Sequence, residues 1–404
     1  MEPTDRALFN AAFSEERYLR YSADLTARTG GEEIGFRLAE TPVFFSSELR
    51  DRCLRAGNEI VAQLCEPERL ARMRAAIPSD RNVPGETRLP TFAIIDFALV
   101  GEPDGSLGPR LIEIQGFPSL IAFQSMQHDA WVEELARIPG LEGDWSCYFG
   151  GRTAEDFRAI ARRTILGAHD PAHVVLLDID PPAQKTSCDF RATKTLFGVD
   201  AVCPTALEKR GRKLFRRDAD GRDVPVERIY WRVVIDELEK KGVSLPFDLR
   251  DELDVEWTPH PNWFFIWSKY SLQFLDHPAV PRTRLLSEVE ALPADLTERY
   301  VLKPLFSFAG GGVNVAPTAA DVAAIAPEMR ENWCLQEKIA YAPALRAVDG
   351  GGVKAELRMM YLRPDDASEF QPVMNLCRLA RGAMLGVDFN KNMTWVGSSI
   401  GLWR

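Results

Sequence analysis

Apolar positions along this chain fall into two rhythms, and the rhythm changes twice. From residue 10 to 80 the helical spacing dominates. Glu48 to Leu64 carries apolar residues every three or four positions, and Pro67 to Ile77 gives a further short helix stopped by Pro78. Thr91 to Val100 then reads as a strand (Phe-Ala-Ile-Ile-Asp-Phe-Ala-Leu-Val), Gly101 to Gly108 is rich in turn residues, and Arg110 to Gln115 is a second strand, which together predict a hairpin with a long connection. Near residue 150 the pattern changes. A helix over Asp156 to Leu166 precedes a buried-strand run, His173 to Asp180, ended by Pro181-Pro182. A helix over Thr186 to Leu196, a strand over Val199 to Cys203 and another helix follow. This alternation predicts a small α/β unit with a parallel sheet, extended by Val226 to Val234 and Asp236 to Lys241. A last boundary lies near Pro259 to Pro261. Beyond it come a helix around Lys269 to Leu275, then strands at Val301 to Pro304, Trp333 to Ile339, Val353 to Leu362 and Pro372 to Leu379. The expected division is 1–150, 151–258 and 259–404, with no internal repeat.

A chain of 404 residues is too long for one simple core, in keeping with two or three domains. With 46% hydrophobic and 27% charged residues it is neither disordered nor fibrous. A formal net charge of -10 argues against a general nucleic-acid binder, which needs a basic surface. The one basic patch, Lys209 to Lys213 with Arg216 and Arg217, flanks a turn at Asp218 to Gly221 and reads as a solvated hairpin. Seven scattered cysteines without a C-x-x-C pair fit a reducing compartment and offer no zinc cluster. Neither a signal-peptide pattern nor a long apolar span is visible, so a cytoplasmic protein is expected.

Several familiar sites are absent. There is no G-x-x-x-x-G-K-[ST], no G-x-G-x-x-G after the strand at 173–180, and no G-x-S-x-G. Asp388 to Asn392 begins like a calcium loop but has Met393 where glycine is needed and Ser399 where an acid is needed. Three features remain. In Val301-Leu-Lys-Pro-Leu-Phe-Ser-Phe-Ala-Gly-Gly-Gly-Val313 a strand lysine, Lys303, runs into Ser307 and Gly310, Gly311 and Gly312. A lysine beside amides that no Cβ obstructs suits a polyphosphate, though a hairpin with a glycine turn would look the same. Gln336-Glu337-Lys338-Ile339 closes another strand and suits either an exposed edge or a segment facing an adenine ring. Asp96 lies inside an apolar strand, with Glu113 and Gln115 sharing one face of the next. Buried carboxylates need a compensating cation, and two carboxylates with an amide oxygen are hard donors suited to Mg²⁺.

Together these pieces resemble the ATP-grasp superfamily. In it a strand lysine and glycine loop hold the phosphates of ATP, a hinge binds adenine, and an Asp with a Glu-x-Asn holds magnesium. The resemblance implies ATP contacts from Lys303, Ser307, Gly310, Gly311 and Gly312, from Lys269 upstream, and from Gln336, Glu337, Lys338 and Ile339. It implies Mg²⁺ at Asp96, Glu113 and Gln115, with Arg358 and Arg378 facing the phosphates or acyl group. The acidic hairpin precedes the lysine by about two hundred residues. That order resembles the circularly permuted members, similar in layout to glutathionylspermidine synthetase-like ligases, with residues 151–258 as a small parallel-sheet pre-grasp domain. The fold class implied is α/β (α+β), a permuted ATP-grasp fold. The resemblance does not extend to residues 1–90. The implied activity is ATP-dependent ligation of a small carboxylate or peptide to an amine through an acylphosphate, ADP being formed. The alternatives are a weak or inactive nucleotide-binding protein and an ATP-dependent phosphotransferase. Gln115 stands where the superfamily has Asn and adds a methylene to the metal set. The acid, the amine and the oligomeric state, a homodimer included, are open. Arg81, Arg88 and Gly116 to Leu120 adjoin the metal site in sequence and are candidates for the acceptor pocket.

Overall fold

The computed structural model describes residues 1–307, 311–382, 390 and 392–404. Helix α1 (Ser47–Leu64), capped by Ser46 Oγ accepting from the Leu49 N–H, precedes the hairpin of β1 (Phe92–Gly101) and β2 (Leu107–Gln115). Helix α2 (Ile121–Leu135) is almost wholly buried and packs against the helices Glu15–Arg28 and Ser187–Phe197. Four short strands, β3 (Val174–Leu177), β4 (Asp200–Val202), β5 (Arg228–Trp231) and β6 (Glu256–Thr258), form a parallel sheet in the order β6-β5-β3-β4. The apolar runs Val-Val-Leu-Leu and Ile-Tyr-Trp are what a sheet covered on both faces requires. Strands β7 (Thr283–Leu285), β8 (Tyr300–Pro304) and β9 (Trp333–Glu337) form an antiparallel sheet with β9 in the middle. The long strands β10 (Gly352–Leu362) and β11 (Gln371–Ala380) then return to the first hairpin, giving the antiparallel order β11-β10-β1-β2.

Joining β1 to β10 places residues some 260 positions apart side by side, with Asp96 opposite Arg358. One face of this sheet, carrying Ile95, Met359 and Tyr361, is covered by α1: Gly57 lies against Tyr361, and the Tyr361 hydroxyl meets Asn58 Oδ1 at 3.1 Å. The opposite face carries Asp96, Glu113, Glu356 and Arg358. The main core runs from Phe9 to Trp403 and draws on all three stretches of the chain, whereas the β7-β9-β8 sheet has its own small core of Leu286, Leu296, Leu302, Val322 and Leu335.

Four local expectations are corrected. The strand expected over His173 to Asp180 ends at Leu177, and Asp180 takes φ +44° before the diproline turn. The helix expected after Cys203 is one turn, Pro204–Ala206, followed by a three-stranded hairpin sheet holding the basic patch. Its cations face acids, Lys209 on Asp251, Arg210 on Asp223 and Arg212 on Glu252. Lys269–Phe274 is a 3₁₀ helix that buries Lys269, Ser271 and Leu272. Finally, Gln336 and Glu337 lie in a central strand, not at an edge.

Candidate functional site

Beside the polar face of the large sheet lies a small cavity of about 20 Å³, lined by Glu113 and Gln115 of β2, by Phe117, Trp267 and Lys269, and by the Leu305–Ser307 segment that follows β8. Register sets its chemistry. Glu113 pairs with Asp96, Asp96 with Arg358, and Glu356 with Arg378, so the charged groups sit in one patch across four strands.

Asp96 is fully buried and its carboxylate is held twice. Arg358 grips it in a fork, Nε to Oδ1 at 2.7 Å and an Nη to Oδ2 at 2.6 Å, and Arg378 adds a contact to Oδ2 at 2.5 Å. Burial pushes the Asp96 pKa up, but Arg358 and then Arg378 outweigh it, and the net direction is down. Arg378 also bridges to Glu356 Oε1, while the Tyr341 hydroxyl donates to Glu356 Oε2 at 3.0 Å. Burial raises the pKa of Glu356.

The two lysines come from different elements. Lys269 Nζ donates to the Ser307 carbonyl at 2.8 Å and stands 3.8 Å from Glu113 Oε2, which ties the glycine-loop segment to the hairpin. Lys303 is buried, and its ammonium donates to Gln336 Oε1 at 2.5 Å, using one of three donors. Burial lowers its pKa, and the charges of Glu113, Lys269 and Glu356 act on it. Gln336 Nε2 is buried without a partner, as is Arg378 Nε. Orphaned donors beside buried cations are what an anionic ligand satisfies. Gly312, at φ +73°, forms the turn that brings Asn314 back to Leu302. Gly310 lies outside the described residues.

The hinge reading narrows. The Glu337 and Lys338 N–H groups donate to the Arg282 and Arg299 carbonyls at 2.9 and 2.7 Å, and Lys338 Nζ turns to the Thr297 carbonyl. Of the four hinge residues, half-buried Ile339 lies past these bonds. Sequence reasoning missed Tyr341 and the role of Glu356. The alternation of Glu356 and Arg358 within an apolar strand was the available signal for the second.

No family model matches the chain, and no curated protein matches it in sequence. In fold the chain is similar to a solved structure: a glutathione synthetase-like effector from Globodera pallida, in its apo form, aligns over 92% of this chain and 96% of its own at TM-score 0.57 and 13% identity. The fold is glutathione synthetase-like. The charge balance beside the cavity suits an anionic group. Four cations (Lys269, Lys303, Arg358, Arg378) meet three carboxylates (Asp96, Glu113, Glu356), a surplus of positive charge. A divalent cation does not fit as the groups are placed. Three of about four lone-pair directions of Asp96 are filled by guanidinium donors, and the Gln115 amide donates to Glu113 Oε1 at 2.5 Å instead of aiming its oxygen beside it. Among the described residues no cluster of three or more histidines, cysteines and acids is arranged to hold a metal.

Proposed function

We propose that this cleft binds ATP and that the chain joins a small carboxylate to an amine. The observation that carries the reading is a pair of buried lysines from separate elements beside the acidic face of the sheet: Lys269 bonds to the Ser307 carbonyl and stands 3.8 Å from Glu113, and Lys303 bonds to Gln336. In the reaction a substrate carboxylate oxygen bonds to the γ-phosphorus while the bond to the bridging oxygen breaks, releasing ADP. An amine nitrogen then bonds to the acyl carbon, phosphate leaves and the amine gives up a proton. Lys269, Lys303 and Arg378 would neutralise charge developing on the transferred group, as fixed cations do in a water-poor site. Phe117 and Trp267 line the same cavity and would keep water from the acylphosphate.

One observation favours a second reading, ATP binding with weak or no turnover: the arginine grip on Asp96. Phosphate release measured with ATP and pools of amino acids, polyamines and short peptides separates the two. Ligation requires an amine–acid pair that stimulates release. Lys303→Ala should weaken ATP binding by roughly 10-fold or more, the worth of a charge-assisted hydrogen bond. Unchanged affinity in that variant would remove Lys303 from the site, and ATP bound tightly but never consumed would leave the second reading.

A further inference from the structure

We infer that the guanidinium groups of Arg358 and Arg378 stand where this cleft would otherwise need a divalent cation, and that it takes a nucleoside triphosphate without metal. The inference rests on the nucleotide-binding reading and concerns how that site handles charge.

Each of the three residues suited to a metal already has a fixed partner in the protein. Both oxygens of Asp96 are held by guanidinium groups, at 2.5 to 2.7 Å, in a place with no solvent exposure. Glu113 has Gln115 on one oxygen and Lys269 3.8 Å from the other. Gln115 therefore presents its amide hydrogens, not its oxygen, to Glu113. Arginine cannot give up its proton to make way for a metal, and its planar fork matches carboxylate geometry, so this pairing is permanent in a way that a lysine or a water would not be. Freeing Asp96 would strand the Arg358 guanidinium, which is 6% exposed, in the interior. A dication entering the patch would meet two guanidinium groups and two ammonium groups within the same few side chains.

Those groups also supply what a metal would supply to a triphosphate. The Arg378 side chain is 36% exposed, contacts both Asp96 and Glu356, and keeps its Nε without a partner. Lys303 has two donors to spare. Positive charge that a metal would bring with the nucleotide is thus built into β8, β10 and β11.

Calorimetric titration of the full chain with ATP, once in excess Mg²⁺ and once in EDTA, tests this. The expected affinities agree within about threefold, a difference of ~0.65 kcal/mol. Binding confined to the Mg²⁺ arm overturns the inference and leaves the nucleotide reading standing. Absence of binding in both arms overturns both. Arg378→Gln, at a partly exposed position, should weaken the EDTA-arm affinity by roughly 10–100-fold, and an unchanged affinity there counts against the inference. Mn²⁺ titration of the wild-type chain by electron paramagnetic resonance, without nucleotide, gives an independent readout. A free-ion signal that does not fall supports the inference, and a bound ion lost on Asp96→Asn overturns it.

Discussion

Asp178 shows how one buried group sets a pH response away from the cleft. It follows the last residue of β3, is 6% exposed, and accepts the Ile179 N–H at 2.7 Å. Burial raises its pKa to about 6, against the pull of Arg232 and that N–H. An unfolded aspartate titrates near 3.9. Between those values the folded chain holds a proton that the unfolded chain has lost, so stability falls as pH rises from about 4 to about 6, and the full penalty persists above. Asp178→Asn keeps the acceptor and removes the charge. It should stabilise the protein by roughly 3 kcal/mol at pH 7.5 and by almost nothing at pH 4. Urea denaturation at the two pH values checks this, and an equal gain at both would assign the effect to packing. The residue scale is also where the sequence was most informative about the cleft. A carboxylate in the middle of Phe-Ala-Ile-Ile-Asp-Phe announced a missing cation. What it did not announce was which cation, because Arg358 lies 262 positions away.

The contact between α1 and the large sheet turns on a single glycine. Gly57 sits in the interior of an 18-residue helix, where alanine would ordinarily be better by about 1 kcal/mol. A Cβ there would overlap the hydroxyl of Tyr361 and stand 3.1 Å from Met359 Sδ. Tyr361 is buried and its hydroxyl is held by Asn58, so it has nowhere to move. Gly57→Ala should therefore destabilise, by about 1–3 kcal/mol, reversing the helix-propensity sign. A thermal melt decides, and a rise in Tm would show that the helix can shift on the sheet. At this scale the local pattern was legible: α1, β1, β2, β10 and β11 were all expected close to where they occur, because each is long and strongly periodic. Pairing order was not legible. Trp333 to Glu337 is a short apolar run closed by Gln336 and Glu337, and nothing local says that both its edges are taken. The 3₁₀ segment at Lys269 was likewise beyond reach, since six residues satisfy both helical spacings.

Across the whole molecule, stability is unevenly shared. Among the described residues the main core gathers dozens of buried side chains, while the β7-β9-β8 sheet has a core of five, with half-buried Val289, Tyr300, Ile325 and Trp333 packed against them. An element with so few apolar contacts should open first. Hydrogen exchange is expected to be faster at β7, β8 and β9 than at β1 and β10, and ATP should slow it there by bridging the two sheets. Equal protection in all five strands would mean that the small sheet opens only with the whole. The same long-range joining has a consequence during synthesis. β1 and β2 leave the ribosome carrying Asp96, and the strand that pairs with β1 and brings Arg358 follows some 260 residues later. At about 5–20 residues per second that delay is on the order of 13–50 s. Through it the nascent chain holds an apolar hairpin with one open edge and an acid without its counter-ion. The cleft is thus assembled last, and a chain stopped before β10 would expose a sticky strand that a chaperone must cover.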